Sequence, residues 1–92
     1  MQFEWDEEKN AANRIKHGID FTDAVAVFDD ENRIEWYDAA HSDSEDRYNT
    51  IGMVHQILFV VYTERGEKIR MISARKATPF ERSLYYDRNL SS

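Results

Sequence analysis

The run Ile57-Leu58-Phe59-Val60-Val61-Tyr62-Thr63 is nearly all apolar and built from β-branched or aromatic residues. Such a run fits a central strand buried on both faces, and its surroundings read as its partners. Glu64-Arg65-Gly66-Glu67 is a hairpin connection containing glycine, and Lys68 to Ala74 is the partner strand. Upstream, Arg33 to Tyr37 reads as a strand, 38–46 as a polar loop, and Arg47 to Gly52 alternates as another strand.

Helical signals flank this block. Phe3-Glu4-Trp5 alternates as a short first strand, and Asp6 then stands as an N-cap with Glu7 and Glu8 in the first turn, where the helix dipole favours acid. The helix runs to His17 and stops at Gly18, with Ala11, Ala12 and Ile15 as its expected apolar stripe. A shorter helix is predicted over 22–28, burying Ala24, Val25, Val27 and Phe28. Near the C-terminus, Thr78-Pro79-Phe80-Glu81 joins a Thr N-cap, Pro at the first helical position and Glu two residues on, the pattern of a capping box. A helix to about Arg88 follows, with Phe80 and Leu84 one turn apart. The expected order is β-α-α-β-β-β-β-α. It implies an α+β fold, an antiparallel meander with helices over one face, in one domain spanning residues 1–92.

Composition narrows the chemistry. The absence of cysteine excludes disulfides, thiolate catalysis and all-Cys zinc sites. The longest apolar run is far short of the roughly 20 residues of a membrane span. The N-terminus lacks a basic segment followed by an apolar one, so a cytoplasmic location is expected. The net charge of −6 is unevenly distributed: residues 1–46 carry four Lys/Arg against fourteen Asp/Glu, and residues 47–92 carry eight against four. That division suggests two partners, one anionic and one basic, unless folding interleaves the halves.

Asp29-Asp30-Glu31 is a solvated turn, because adjacent carboxylates diverge instead of converging on a metal. His17, His41 and His55 lack zinc-like spacing, and no glycine-rich phosphate loop exists, so neither metal nor cofactor is expected. What remains is a set of basic residues on or beside strands. Arg47 opens one strand, Arg70 and Arg75 lie on the last, and Lys76 follows. Alternation puts Ser73 and Arg75 on one face and Arg70, Ala74 and Lys76 on the other. An arginine at a strand end beside a helix entry is well placed to grip phosphate through two bonds. Metal-free RNA cleavage needs a base for the 2′-hydroxyl, cations for the phosphorane and an acid for the leaving oxygen. His17, at a helix end beside Lys16, is the natural proton carrier. Each such residue is more often a solvated cation or a dipole partner than a catalyst, so the pattern alone selects none of them. Of the aromatic residues, Trp5 and Tyr62 read as core; Tyr48 and Trp36 are equally suited to packing or to stacking on bases.

Phe3-Glu4-Trp5-Asp6, Lys9, Asn13, Lys16-His17-Gly18 and Phe21 with Ala24 and Phe28 resemble the opening motif of the BrnT toxins. Arg47-Tyr48 and Ile51-Gly52 are similar to that family's middle strand. Val60 to Glu64, Ile69-Arg70, Ile72 to Ala77, and Glu81 with Tyr85 or Tyr86 resemble its closing signature. The resemblance implies a RelE-like ribonuclease fold, translation arrest by RNA cleavage, and neutralisation by a ribbon–helix–helix antitoxin of the BrnA kind, with promoter DNA held through the antitoxin. Lys16, His17, Arg47, Ser73, Arg75 and Lys76 occupy motif positions able to form the active groove. With the chemistry above, His17, Arg47 and Arg75 are the expected catalytic residues, and Lys16, Arg70, Ser73 and Lys76 the expected RNA contacts. The last helix departs from the family, holding Pro79, Phe80, Ser83 and Leu84 where basic residues are usual. With the overall acidity, this leaves a second reading open: a toxin-like binding module with little nuclease activity, acting with its antitoxin in autoregulation.

Overall fold

The computed structural model describes residues 1–90. β1 (Gln2–Glu4) leads into α1 (Glu7–His17); α2 (Phe21–Ala24) continues as a 3-10 turn, Val25–Asp29. β2 (Ile34–Tyr37), β3 (Tyr48–Val54), β4 (Gln56–Arg65) and β5 (Lys68–Lys76) follow, then α3 (Pro79–Leu90). The element order is the one the sequence implies, and the class is α+β. The sheet is not the expected all-antiparallel meander. β2 to β5 are antiparallel neighbours, but β1 pairs parallel with β5, giving a mixed sheet of order β1-β5-β4-β3-β2. The RelE-like arrangement therefore holds only in outline.

Nor do the helices cover a single face. On one side of β4, Leu58, Val60 and Tyr62 pack with Phe21, Ala24, Val27 and Phe28. On the other, Ile57 and Phe59 pack with Ile51, Ala77, Leu84 and Tyr85 beneath α3. The apolar run is thus buried from both directions, which is why it needs no alternation. Tyr62 is core, and Trp5 packs at its margin. Gly52 lets the 3-10 turn lie close, since a Cβ there would stand 2.7 Å from Val27 Cγ1.

Helix termini follow their sequence signals. Asp6 accepts from Glu8 N at 2.8 Å and Lys9 N at 3.2 Å, and Gly18 closes α1 at φ 72°. Thr78 N donates to Glu81 Oε1 at 2.8 Å, and Glu81 N to Thr78 Oγ1 at 3.2 Å, which is the reciprocal capping box.

The inner face of α1 differs from expectation. Ile15 is 89% exposed, and the buried residues are Asn10 and Asn13. Asn13 Nδ2 donates to Ile19 O and Ala74 O, both at 2.8 Å, while its Oδ1 accepts from Ala74 N at 3.1 Å. Asn10 Oδ1 accepts from Phe21 N. β1 is too short to cover all of β5, so Asn13 takes the place of a strand partner at Ala74. The helix docks by satisfying backbone groups that burial would otherwise leave costly.

A second correction concerns β5. The ladder with β4 is irregular at Val61/Tyr62: Val61 faces Ser73 but Tyr62 faces Met71, so Ile72 is the extra residue of a bulge. The bulge reverses the alternation upstream. Met71 and Ala74 share the α2-side core, so Arg70 lies on the same face as Ser73 and Arg75, not on the opposite one.

Candidate functional site

The register sorts the face shared with α3 into rows. Ile34, Ile51, Phe59 and Arg75 form the row in contact with the helix. Trp36, Asn49, Val61 and Ser73 form the next, beyond the helix, and Thr63 and Arg70 the third. Arg47 immediately precedes β3 at the level of that third row, where Thr63 Oγ1 donates to Asp46 O and Arg47 O accepts from Asp38 N.

Arg75 is the most constrained cation. Its guanidinium carbon lies 4.2 Å over the Phe59 ring, and Nη1 and Nη2 donate to Glu81 Oε1 and Oε2 at 2.7 and 2.9 Å. The fork expected to grip phosphate is thus held by a carboxylate. The hydrogen bond to Glu81 raises the Arg75 pKa, and the same bond holds the Glu81 carboxyl below its usual range.

His17 ends α1 half-buried. With Lys9, Ala12, Asn13, Lys16, Ile72 and Ser73 it lines a depression of about 210 Å³ beside the bulge. Burial lowers its pKa from 6.5, and the charges of Lys16 and Arg75 lower it further. The imidazole is therefore neutral at pH 7, the form that takes up a proton. Arg75 is close enough for its charge to be felt there.

The structure brings Lys16, His17 and Ser73 around one hollow, with Arg75 within electrostatic reach. It does not bring Arg47 to them: two strand spacings and four residues along the sheet separate the Arg47 and Arg75 backbones by about 16 Å. Arg70 is engaged by Glu4 at 2.6 Å across the parallel pair. Lys76 is exposed at the end of β5, on the side of Ala74.

The other histidines stand apart. His41 bonds Asp38, and His55 sits at φ 60° in the β3–β4 turn, beside a larger hollow of about 440 Å³ that also takes in Asp20 and Asp23. Among the described residues no group of three or more His, Asp or Glu side chains is arranged to hold a metal, and no helix is long and apolar enough to cross a membrane.

Asn49 and the role of Glu81 escaped the sequence analysis, whereas Arg47 was expected at the site and lies apart from it. Asn49 is 8% exposed with a buried, unpartnered Oδ1, and Arg47 has a buried, unpartnered Nε. Glu81 was legible as a cap but not as the partner of Arg75. An asparagine inside an alternating strand, where such residues are depleted, was the available signal for Asn49.

Comparison with known proteins shows the family and the overall fold. Residues 5–81 match the family model described as the ribonuclease toxin BrnT of type II toxin–antitoxin systems. Among solved structures, the chain is similar to the Brucella abortus ribonuclease toxin BrnT, at 30% identity and a TM-score of 0.69, over 85% of this chain and 97% of that one. No curated protein matches the chain.

Proposed function

The chain belongs to the BrnT family of ribonuclease toxins of type II toxin–antitoxin systems, and on that basis we propose that it is a metal-independent endoribonuclease that arrests translation. The observation that carries this reading is the grouping of Lys16, His17 and Ser73 about one hollow, with Arg75 near enough to act on the imidazole.

In this reading the scissile phosphate lies between the end of α1 and β5. Neutral His17 takes the proton of the 2′-hydroxyl. The 2′-oxygen bonds to phosphorus, the bond from phosphorus to the 5′-oxygen breaks, and that oxygen leaves with a proton from solvent. Arg75 and Lys16 stabilise the phosphorane charge, a preorganised electrostatic role. Ser73 positions a phosphate oxygen, while Arg47, Arg70 and Lys76 hold flanking parts of the strand. Residues 1–92 act as one toxin domain in the cytoplasm. The neutralising partner is a ribbon–helix–helix antitoxin, through which promoter DNA is engaged. The outward apolar side chains of α3, Phe80 and Leu90, offer that partner contact area.

The test is expression without an antitoxin. The parent chain is expected to arrest growth and Arg75→Ala to relieve the arrest; equal arrest by both removes Arg75 from the mechanism. The occupied Arg75 fork favours a second reading, a weakly active binding module. Incubating purified protein with RNA in the presence of chelator separates the two, since a binding module leaves the RNA intact.

A further inference from the structure

The row beyond α3 contains an unusual residue for its place. Asn49 is central on β3, paired with Trp36 on one side and Val61 on the other. Among the described residues its Oδ1 has no hydrogen-bond partner and is shielded from solvent, and only 8% of the residue is exposed. An orphaned buried amide carries a desolvation cost that a valine or leucine there would not. Two residues earlier Arg47 repeats the pattern with a buried, unpartnered Nε. An acceptor and a donor, both lacking partners, thus stand on one sheet face. Beside them Trp36 is 38% exposed as a residue, and its ring meets Phe59 edge-on at 5.9 Å, so it is held in place while part of its surface stays open.

We propose that Trp36, Asn49 and Arg47 form a subsite for one unpaired nucleobase of the RNA. The base stacks on the Trp36 indole and, once the Asn49 and Arg47 side chains turn outward to expose the shielded Oδ1 and Nε, presents its pairing edge to these two groups. Every base has a flat face to stack, so Trp36 supplies affinity without preference. The pairing edge differs between bases, so the amide supplies the preference, because a mismatched base leaves it unsatisfied again. This rests on the ribonuclease reading above and adds where along the RNA a base is read: two strand spacings from the β5 side of the cleavage hollow, in the row between those of Arg75 and Arg47.

The experiment uses four short oligonucleotides, each of a single base and uncleavable because every 2′-hydroxyl is methylated, titrated into the Trp5→Phe protein so that Trp36 is the sole tryptophan. Binding is expected to quench its emission, with affinities that differ among the four bases by about tenfold or more. Asn49→Leu is expected to erase that spread and at the same time raise Tm, because it removes an unsatisfied amide. Trp36→Leu, which lacks the reporter and is read instead by the anisotropy of end-labelled oligonucleotides, is expected to weaken all four by about tenfold and keep their ranking. An Asn49→Leu protein with the parental ranking overturns the subsite, as does a lowered Tm with the ranking unchanged. Quenching by a basic protein partner but by none of the oligonucleotides overturns it in favour of a protein-binding face. If the parent cleaves RNA while these outcomes fail, the ribonuclease reading stands and only the subsite falls; a parent that neither binds nor cleaves RNA removes both.

Discussion

Arg75 and Glu81 meet through two parallel hydrogen bonds, 2.7 and 2.9 Å long, and Glu81 simultaneously caps the first turn of α3. One carboxylate therefore serves helix initiation and the orientation of the cation that the proposed mechanism sets against the phosphorane. Glu81→Gln keeps a capping group but weakens the grip on Arg75. We expect tighter RNA binding, with stability reduced by about 1 kcal/mol, the size of a partial cap and pair loss. Calorimetry and oligonucleotide titration on the same variant check both; unchanged RNA affinity would mean that Glu81 does not compete with phosphate.

In the proposed mechanism His17 sets the acid side of the activity profile. Its pKa lies below 6.5 through burial and the charges of Lys16 and Arg75, so the neutral base persists to lower pH than for a free imidazole. Cleavage is expected to hold down to that lowered pKa and to fall beneath it. In Arg75→Gln, whose repulsion is gone, the midpoint should move up. A midpoint that stays put in this variant would dissociate the two groups. The same shift bears on folding: the native state binds this proton less readily than the unfolded chain, so its contribution turns destabilising only as pH falls below about 6.5.

Asp20 works in the opposite sense. Its pKa is held at about 2 by the hydrogen bond from the Thr22 backbone and by the Asn10 and Arg14 side chains, against the opposing effect of burial. A depressed carboxylate stabilises the fold fully above its unfolded pKa of about 3.9, and that stabilisation is lost as pH falls towards the folded value. Asp20→Asn keeps an N-cap but loses the charge that strengthens the bonds from Arg14, Asn10 and Thr22; it should cost about 1 kcal/mol at pH 7 and flatten the decline in Tm between pH 4 and 2. An unaltered acid profile would assign that decline to other carboxylates.

Asn13 carries the contact between α1 and the edge of β5. Replacing it by leucine strands the Ala74 amide and carbonyl and the Ile19 carbonyl, and is expected to cost about 2–4 kcal/mol. Denaturant unfolding measures this directly. A loss below about 0.5 kcal/mol would show that the helix is held by other contacts.

Much of this fold was legible because its causes are local. Asp6, Gly18 and the Thr78–Glu81 box announce helix ends through groups within a few residues, and the Ile57–Thr63 run announces double-sided burial through its own composition. Features that depend on distant residues were not legible. The parallel pairing of β1 with β5 is a contact across most of the chain. The bulge at Ile72, set by β4, moved Arg70 to the face of Arg75, and the inward turn of Asn10 and Asn13 follows from backbone groups exposed elsewhere. In the site, His17, Lys16 and Ser73 lie together because the end of α1 docks on the edge of β5, whereas the distance of Arg47 and the Glu81 clamp on Arg75 arise only from the sheet register and the entry of α3.

The account turns on His17 and Arg75 carrying out cleavage at one phosphodiester without metal, and the RNA ends report this directly. Purified protein in excess chelator is expected to leave 2′,3′-cyclic phosphate and 5′-hydroxyl termini, with His17→Gln and Arg75→Ala each slower by about 10²–10³. Cleavage that disappears with chelator, yields 3′-hydroxyl and 5′-phosphate ends, or proceeds at the parental rate in both variants would contradict it.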